Sequence, residues 1–162
     1  YDPMALQPVA QLISLPFAIV VNPKLPVKNT KELIEYAKAR PGQLTFASAG
    51  IGSPTHIAPE LFRWMAKIDM LHVPYKGGSQ AVTDLIGGQI TCYFAAMSTG
   101  LPLAKSGRLR AVAVTSPRRF SAVIPEVPTV AESGLPGYEL VGWFGLIKLG
   151  YLPILIYTIG YI

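Results

Sequence analysis

Residues 44–65 constrain the fold more than any other stretch. Leu44-Thr45-Phe46 is a short apolar run that reads as a strand. It is followed by Ala47-Ser48-Ala49-Gly50-Ile51-Gly52-Ser53-Pro54-Thr55-His56, rich in glycine and hydroxyls. Ile57, Ala58, Leu61, Phe62 and Met65 then recur at helical spacing. A strand, a glycine turn and a helix start therefore follow one another directly. Ser53 suits the N-cap and Pro54 the first helical position, where a missing N–H costs nothing. Gly50 and Gly52 allow a tight turn and close approach of a ligand to the backbone. Amides at such a helix start, with the positive end of the helix dipole behind them, suit an anion such as a carboxylate. The same residues also suit a plain connecting turn, and the local pattern leaves both readings open.

The alternation continues along the chain. Phe17–Val21 reads as a strand stopped by Asn22-Pro23, and Asn29-Thr30-Lys31-Glu32 as a capping box opening a helix that Pro41-Gly42 ends. Met70–Tyr75 is a strand, Ser79 the expected cap of the next helix, and Gly87-Gly88 its end. Ile90–Ala95 is a strand, residues 100–106 a short helix, and Leu109–Val114 a last clear strand. Strands and helices in alternation predict an α/β fold with a mostly parallel, doubly wound sheet. Beyond Ser116, prolines and glycines punctuate the chain. Thr129–Glu132 reads as a short helix there, and Tyr138–Leu146 as a strand.

In doubly wound sheets ligands sit beyond the carboxyl ends of the strands. The loops meeting that condition are Ser48–Ser53, Pro74–Gly77, Ala95–Thr99 and Thr115-Ser116, and they hold hydroxyls and amides but no carboxylate. That disfavours acid–base hydrolysis and metal binding. The candidate ligand-binding residues are Ser48, Ala49, Gly50, Gly52, Ser53, His56 and Tyr75. His56 falls in the first helical turn, facing either a ligand or the sheet. His72 lies inside a strand and reads as structural. Lys76, beside Tyr75, is a rim charge. The glycine turn lacks the third glycine of a dinucleotide fingerprint, the Lys-Ser/Thr of a phosphate loop and the spacing of a nucleophile elbow. No catalytic residue, cofactor or metal is expected.

The formal charge of +5 is spread without a lysine- or arginine-rich run, which argues against nucleic acid. Cys92 stands alone, excluding an internal disulfide and a cysteine zinc site, and its apolar neighbours suggest burial. Residues 149–162 carry no charge, yet they are too short, and too interrupted by Pro153, to read as a membrane helix. A hairpin-like tail, a sticky exposed end or a sequence artefact fits them better.

Val20-Val21-Asn22-Pro23, Lys31-Glu32-Leu33-Ile34, the turn Ala47–His56 and His72-Val73-Pro74-Tyr75-Lys76-Gly77 occur in that order. Leu109–Thr115, Pro125–Glu132 and Trp143-Phe144-Gly145 follow them. Together they resemble the Bug family, the extracytoplasmic solute receptors of tripartite tricarboxylate transporters. The resemblance runs from Tyr1 to about Ile147 and departs from the family at Cys92, at Ala95–Ser98 and over 148–162.

The resemblance implies one lobe of a two-lobed, Venus-flytrap receptor. Residues 1–16 would end the first lobe and cross over. Residues 17–115 would form the second lobe, 116–147 would return to the first, and 148–162 would be an off-pattern tail. It further implies a small organic or amino-acid carboxylate as ligand, held by backbone amides and waters, and membrane transporter subunits as partners. Direct membrane insertion is not implied. The chain opens on Tyr1 with no signal-peptide pattern of its own, so the periplasmic location rests on the resemblance alone. Two other readings compete: an effector-binding module of a transcription regulator, which needs a DNA-reading helix-turn-helix, and a small α/β enzyme, which needs a nucleophile and base or paired carboxylates in the strand-end loops.

Overall fold

A computed structural model describes residues 6–121, 123–149 and 152–156. Tyr1 and part of the uncharged tail lie outside the described residues. In chain order the elements are β1 (Leu6–Val21), α1 (Thr30–Ala39), β2 (Thr45–Ser48), α2 (Pro54–Ala66), β3 (Leu71–Pro74) and α3 (Gly78–Gly87). They continue with β4 (Cys92–Ala96), α4 (Met97–Lys105), β5 (Arg110–Val114), β6 (Val141–Leu149) and β7 (Leu152–Ile156).

The principal sheet runs β3-β2-β4-β1-β5. β2 pairs parallel with β3 and with β4, while β1 pairs antiparallel with both β4 and β5. Four strands thus run one way, as a doubly wound sheet requires, and only β1 opposes them. That reversed strand was not legible in the apolar run Phe17–Val21, because an apolar run carries no direction.

Alternation along β1 sends side chains to opposite faces. Phe17, Ile19 and Val21 join a core with α1 and α2 through Leu33, Ile34, Ala58 and Phe62. Ala18 and Val20 join the other core, with Ala81 and Leu85 of α3 and Tyr93 of β4. Phe62 is fully buried and meets Phe94 and Tyr138 edge-on, at 5.7 and 5.9 Å between centroids.

β1 is far longer than the apolar run. Its first half pairs with β6, from Leu6↔Leu149 to Pro16↔Val141, and β6 pairs in turn with β7. Pro8, Gln11, Ser14 and Pro16 break the strand pattern in sequence; pairing with a distant partner supplies the strand instead.

Three local expectations change. Gly77, not Ser79, is the N-cap of α3. Ser53 occupies the N-cap of α2 but makes no capping bond with its side chain. Thr129–Glu132 forms a turn rather than a helix, although it builds the reciprocal box a helix start would use: the Glu132 amide donates to Thr129 Oγ1 (3.0 Å) and the Thr129 amide to Glu132 Oε2 (3.1 Å). Gly134 follows at φ +137°, its backbone against Lys31, which ends the turn before a helix propagates.

Candidate functional site

β2, β3 and β4 point their carboxyl ends the same way, and the helix that follows each one begins there. A cavity of about 490 Å³ lies at those three helix starts. Ala49, Ser53 and Thr55 line it from the glycine turn and α2, Gly78 and Ser79 from α3, Ala96 from the end of β4 and Thr99 from α4. The opposite wall is apolar, with Phe17 of β1 and Gly142, Trp143 and Phe144 of β6. None of the 15 lining residues carries a charged side chain.

Phe17 is set in this wall by Thr115: the Phe17 amide donates to Thr115 Oγ1 (2.9 Å), and that hydroxyl donates to the Phe17 carbonyl (3.2 Å). Thr115, first residue of the loop after β5, is fully buried and serves the site through Phe17 rather than by lining it. The Phe17 ring lies over Gly142, where an added Cβ would come within 3.2 Å of it.

The glycine turn is internally bonded. The Ala49 amide donates to Thr55 Oγ1 (2.8 Å), the Gly50 amide to Ser48 Oγ (3.2 Å), and the Gly52 amide to His56 Nδ1 (3.1 Å). The Ser53 amide donates to the Gly50 carbonyl (3.2 Å). The Ser53 hydroxyl turns back to that same carbonyl (2.7 Å) and contacts Thr55 Oγ1 (2.9 Å), which is why it does not cap the helix. The expectation of a cluster of free amides is thereby corrected. Among the described residues of this turn and helix start, the Ile51 and Thr55 amides are left without a partner, and of the two only Thr55 lines the cavity, at the position where helix amides have no intrahelical acceptor.

The seven candidate residues divide by position. Ala49 and Ser53 line the cavity. Gly50 and Gly52 shape the turn at φ +129° and +80°. Ser48 is fully buried beneath it, its Oγ 2.7 Å from His72 Nε2. His56 sits behind the turn, its ring 4.3 Å from that of His72 between centroids and tilted to it by 32°. Tyr75 lies off the cavity, its hydroxyl donated to Asp84 (2.7 Å); that bond, with burial, pushes its pKa up to about 12. Burial also pushes the Cys92 thiol up, in keeping with a structural residue.

Sequence reasoning missed Thr55, Gly78, Ser79, Phe17, Tyr93, Trp143 and Phe144. Gly78-Ser79 lie one residue past a loop that was named, so the signal was there. Phe17 and Trp143 gave none, since their place depends on β1 meeting β6.

The model of the tripartite tricarboxylate transporter family receptor matches residues 1–150. A protein encoded between tcbD and tcbE in Pseudomonas sp. strain P51 is 39% identical over 140 residues, 86% of this chain and 41% of that protein. Protein BugT of Bordetella pertussis is 39% identical over 141 residues, 87% of this chain and 43% of its own. The chain thus spans under half the length of these curated relatives. Among solved structures, R. palustris Rpa4515 with adipate superposes with a TM-score of 0.86 at 34% identity, over 94% of this chain and 51% of that one. MatC from Rhodopseudomonas palustris, with bound malate, gives 0.82 at 29% identity, over 91% and 50%. With a family model that takes in nearly every residue and a fold shared with these receptors, the chain belongs to the tripartite tricarboxylate transporter receptor family.

Proposed function

We propose that this chain forms one wall of the ligand cleft of an extracytoplasmic receptor that captures a small carboxylate for a tripartite transporter. Residues 17–115 make one lobe in this reading, and 116–147 lead back toward the other. The observation that carries it is the uncharged cavity at three helix starts. A carboxylate there is met by the Thr55 amide, by the dipoles of α2, α3 and α4, and by the hydroxyls of Ser79 and Thr99. Phe17 and Trp143 then face the carbon body of the ligand. A volume of about 490 Å³ suits a small organic acid.

Ala49 and Ser53 touch the ligand in this proposal, while Ser48, Gly50, Gly52, His56 and Tyr75 hold the surrounding loops. Adipate in Rpa4515 and malate in MatC support the ligand class. The role is capture rather than catalysis: Ser48 and His72 are in contact, but Ser48 is closed off beneath the turn. Among the described residues no helix is long and apolar enough to cross a membrane; family membership supports a periplasmic location and transporter subunits as partners.

Calorimetric titration with adipate, malate, citrate, an amino acid and an aromatic acid tests the reading. Binding of at least one with a Kd on the order of micromolar or tighter is expected. Absence of heat with every acid overturns it.

A further inference from the structure

The turn that walls the cavity is held from behind by two imidazoles. His56 Nδ1 accepts the Gly52 amide (3.1 Å). His72 Nε2 lies 2.7 Å from Ser48 Oγ, which itself accepts the Gly50 amide (3.2 Å). The two rings lie 4.3 Å apart between centroids, tilted by 32°, and Phe46 of β2 stacks on His72 at 4.9 Å. Glu60 Oε1 stands 3.9 Å from His56 Nε2, and Glu60 is paired with Arg63 at 2.9 Å. The charged and titratable groups around His56 are therefore Glu60 and Arg63 from its own helix and His72 from β3; β2 contributes Phe46 and Ser48.

This geometry fixes a protonation state. Nδ1 accepts a hydrogen bond only when it bears no hydrogen, so His56 is neutral with its proton on Nε2, toward Glu60. A second proton places an N–H at Nδ1 opposite the Gly52 N–H. Donor then faces donor, and the bond is lost. Two imidazoles 4.3 Å apart resist double protonation, and burial followed by the nearness of His56 holds the His72 pKa below its ordinary value. His56, with Glu60 at its Nε2, is the ring whose protonation state the Gly52 bond depends on.

We propose that His56 is a pH-sensitive latch on the ligand turn: the neutral ring holds residues 50–53 in the binding shape, and its protonation releases them and weakens carboxylate binding. The consequence for binding rests on the carboxylate reading above; the latch itself does not. Simple charge attraction has the opposite sign, since an imidazolium near the turn would tighten anion binding as pH falls.

The test follows the backbone amides of Gly50 and Gly52 by nitrogen-edited NMR from about pH 8 to about pH 5.5, a span in which imidazoles titrate. The Gly52 amide is expected to shift together with the His56 ring. In His56→Asn, whose Oδ1 takes the place of Nδ1 and accepts at every pH, it is expected to stay still. His72→Gln, which keeps a polar group toward Ser48, is expected to retain the Gly52 response.

Calorimetry with adipate at each pH is expected to show affinity falling about fivefold on acidification in the native chain, the worth of one hydrogen bond. His56→Asn meets the same ligand ionisation, so its smaller fall isolates the latch. A Gly52 amide that ignores pH, a His56→Asn variant that titrates like the native chain, or adipate binding that tightens on acidification each overturns the latch. A titrating Gly52 amide with no binding of adipate at any pH upholds the latch and overturns the carboxylate reading.

Discussion

Gly52 shows how much one backbone angle decides. Its φ is +80°, and an added Cβ would meet nothing within 4 Å. Gly52 does not line the cavity, so the effect argued for a side chain here is conformational. Valine at a positive φ is strained by about 1–2 kcal/mol, and the turn relieves that strain by giving up the Gly52–His56 bond. Gly52→Val is therefore expected to weaken carboxylate binding about tenfold, whereas Lys76→Ala, an exposed charge off the cavity, changes it less than twofold. Equal affinities for the two variants by calorimetry would refute this. The glycines of the turn were legible because their spacing between strand and helix demands them. The hydroxyls and imidazole that consume the turn's amides were not, because Ser48 reaches it from β2 and Thr55 and His56 reach it from α2.

α1 is the element most fully written in its own sequence. Asn29 accepts from the Glu32 amide (2.9 Å), and Glu32 reaches back to the Lys28 amide (2.7 Å) and to the Asn29 side chain (2.8 Å). Leu33, Ile34 and Ala37 supply the buried face. Asn29→Ala is expected to cost about 1 kcal/mol, read as a lower denaturation midpoint with an unchanged denaturant slope; an unchanged midpoint would show that packing alone holds the helix start. β1 is the opposite case. Its second half, buried on both faces, was visible as Phe17–Val21. Its first half leaves Val9, Leu12 and Ile13 more than half exposed and is a strand only through β6. The Thr129–Glu132 turn sits between these cases: its box chemistry was legible, but the contact of Gly134 with Lys31 decided how far it ran.

Over the whole molecule, the two named core clusters draw on residues from Phe17 to Leu140, and β7 joins through its backbone pairing with β6. Deleting residues 150–162 trades an uncharged free edge for one that carries Lys148. The melting temperature is expected to move by less than about 3 °C and self-association to fall. A larger loss would mean that the tail completes the core. Sequence alone determined the strand–turn–helix alternation, the doubly wound class, the glycine turn and the family resemblance, because each rests on residues near one another in the chain or on their order along it. Only the tertiary structure decided that β1 runs against its neighbours, that three helix starts converge on one uncharged cavity, that Phe17 and Trp143 face them, and that two histidines brace the turn from behind. Those facts depend on pairings between residues far apart in sequence, such as Phe17 with Thr115 and Ser48 with His72, and no local periodicity encodes a pairing of that length.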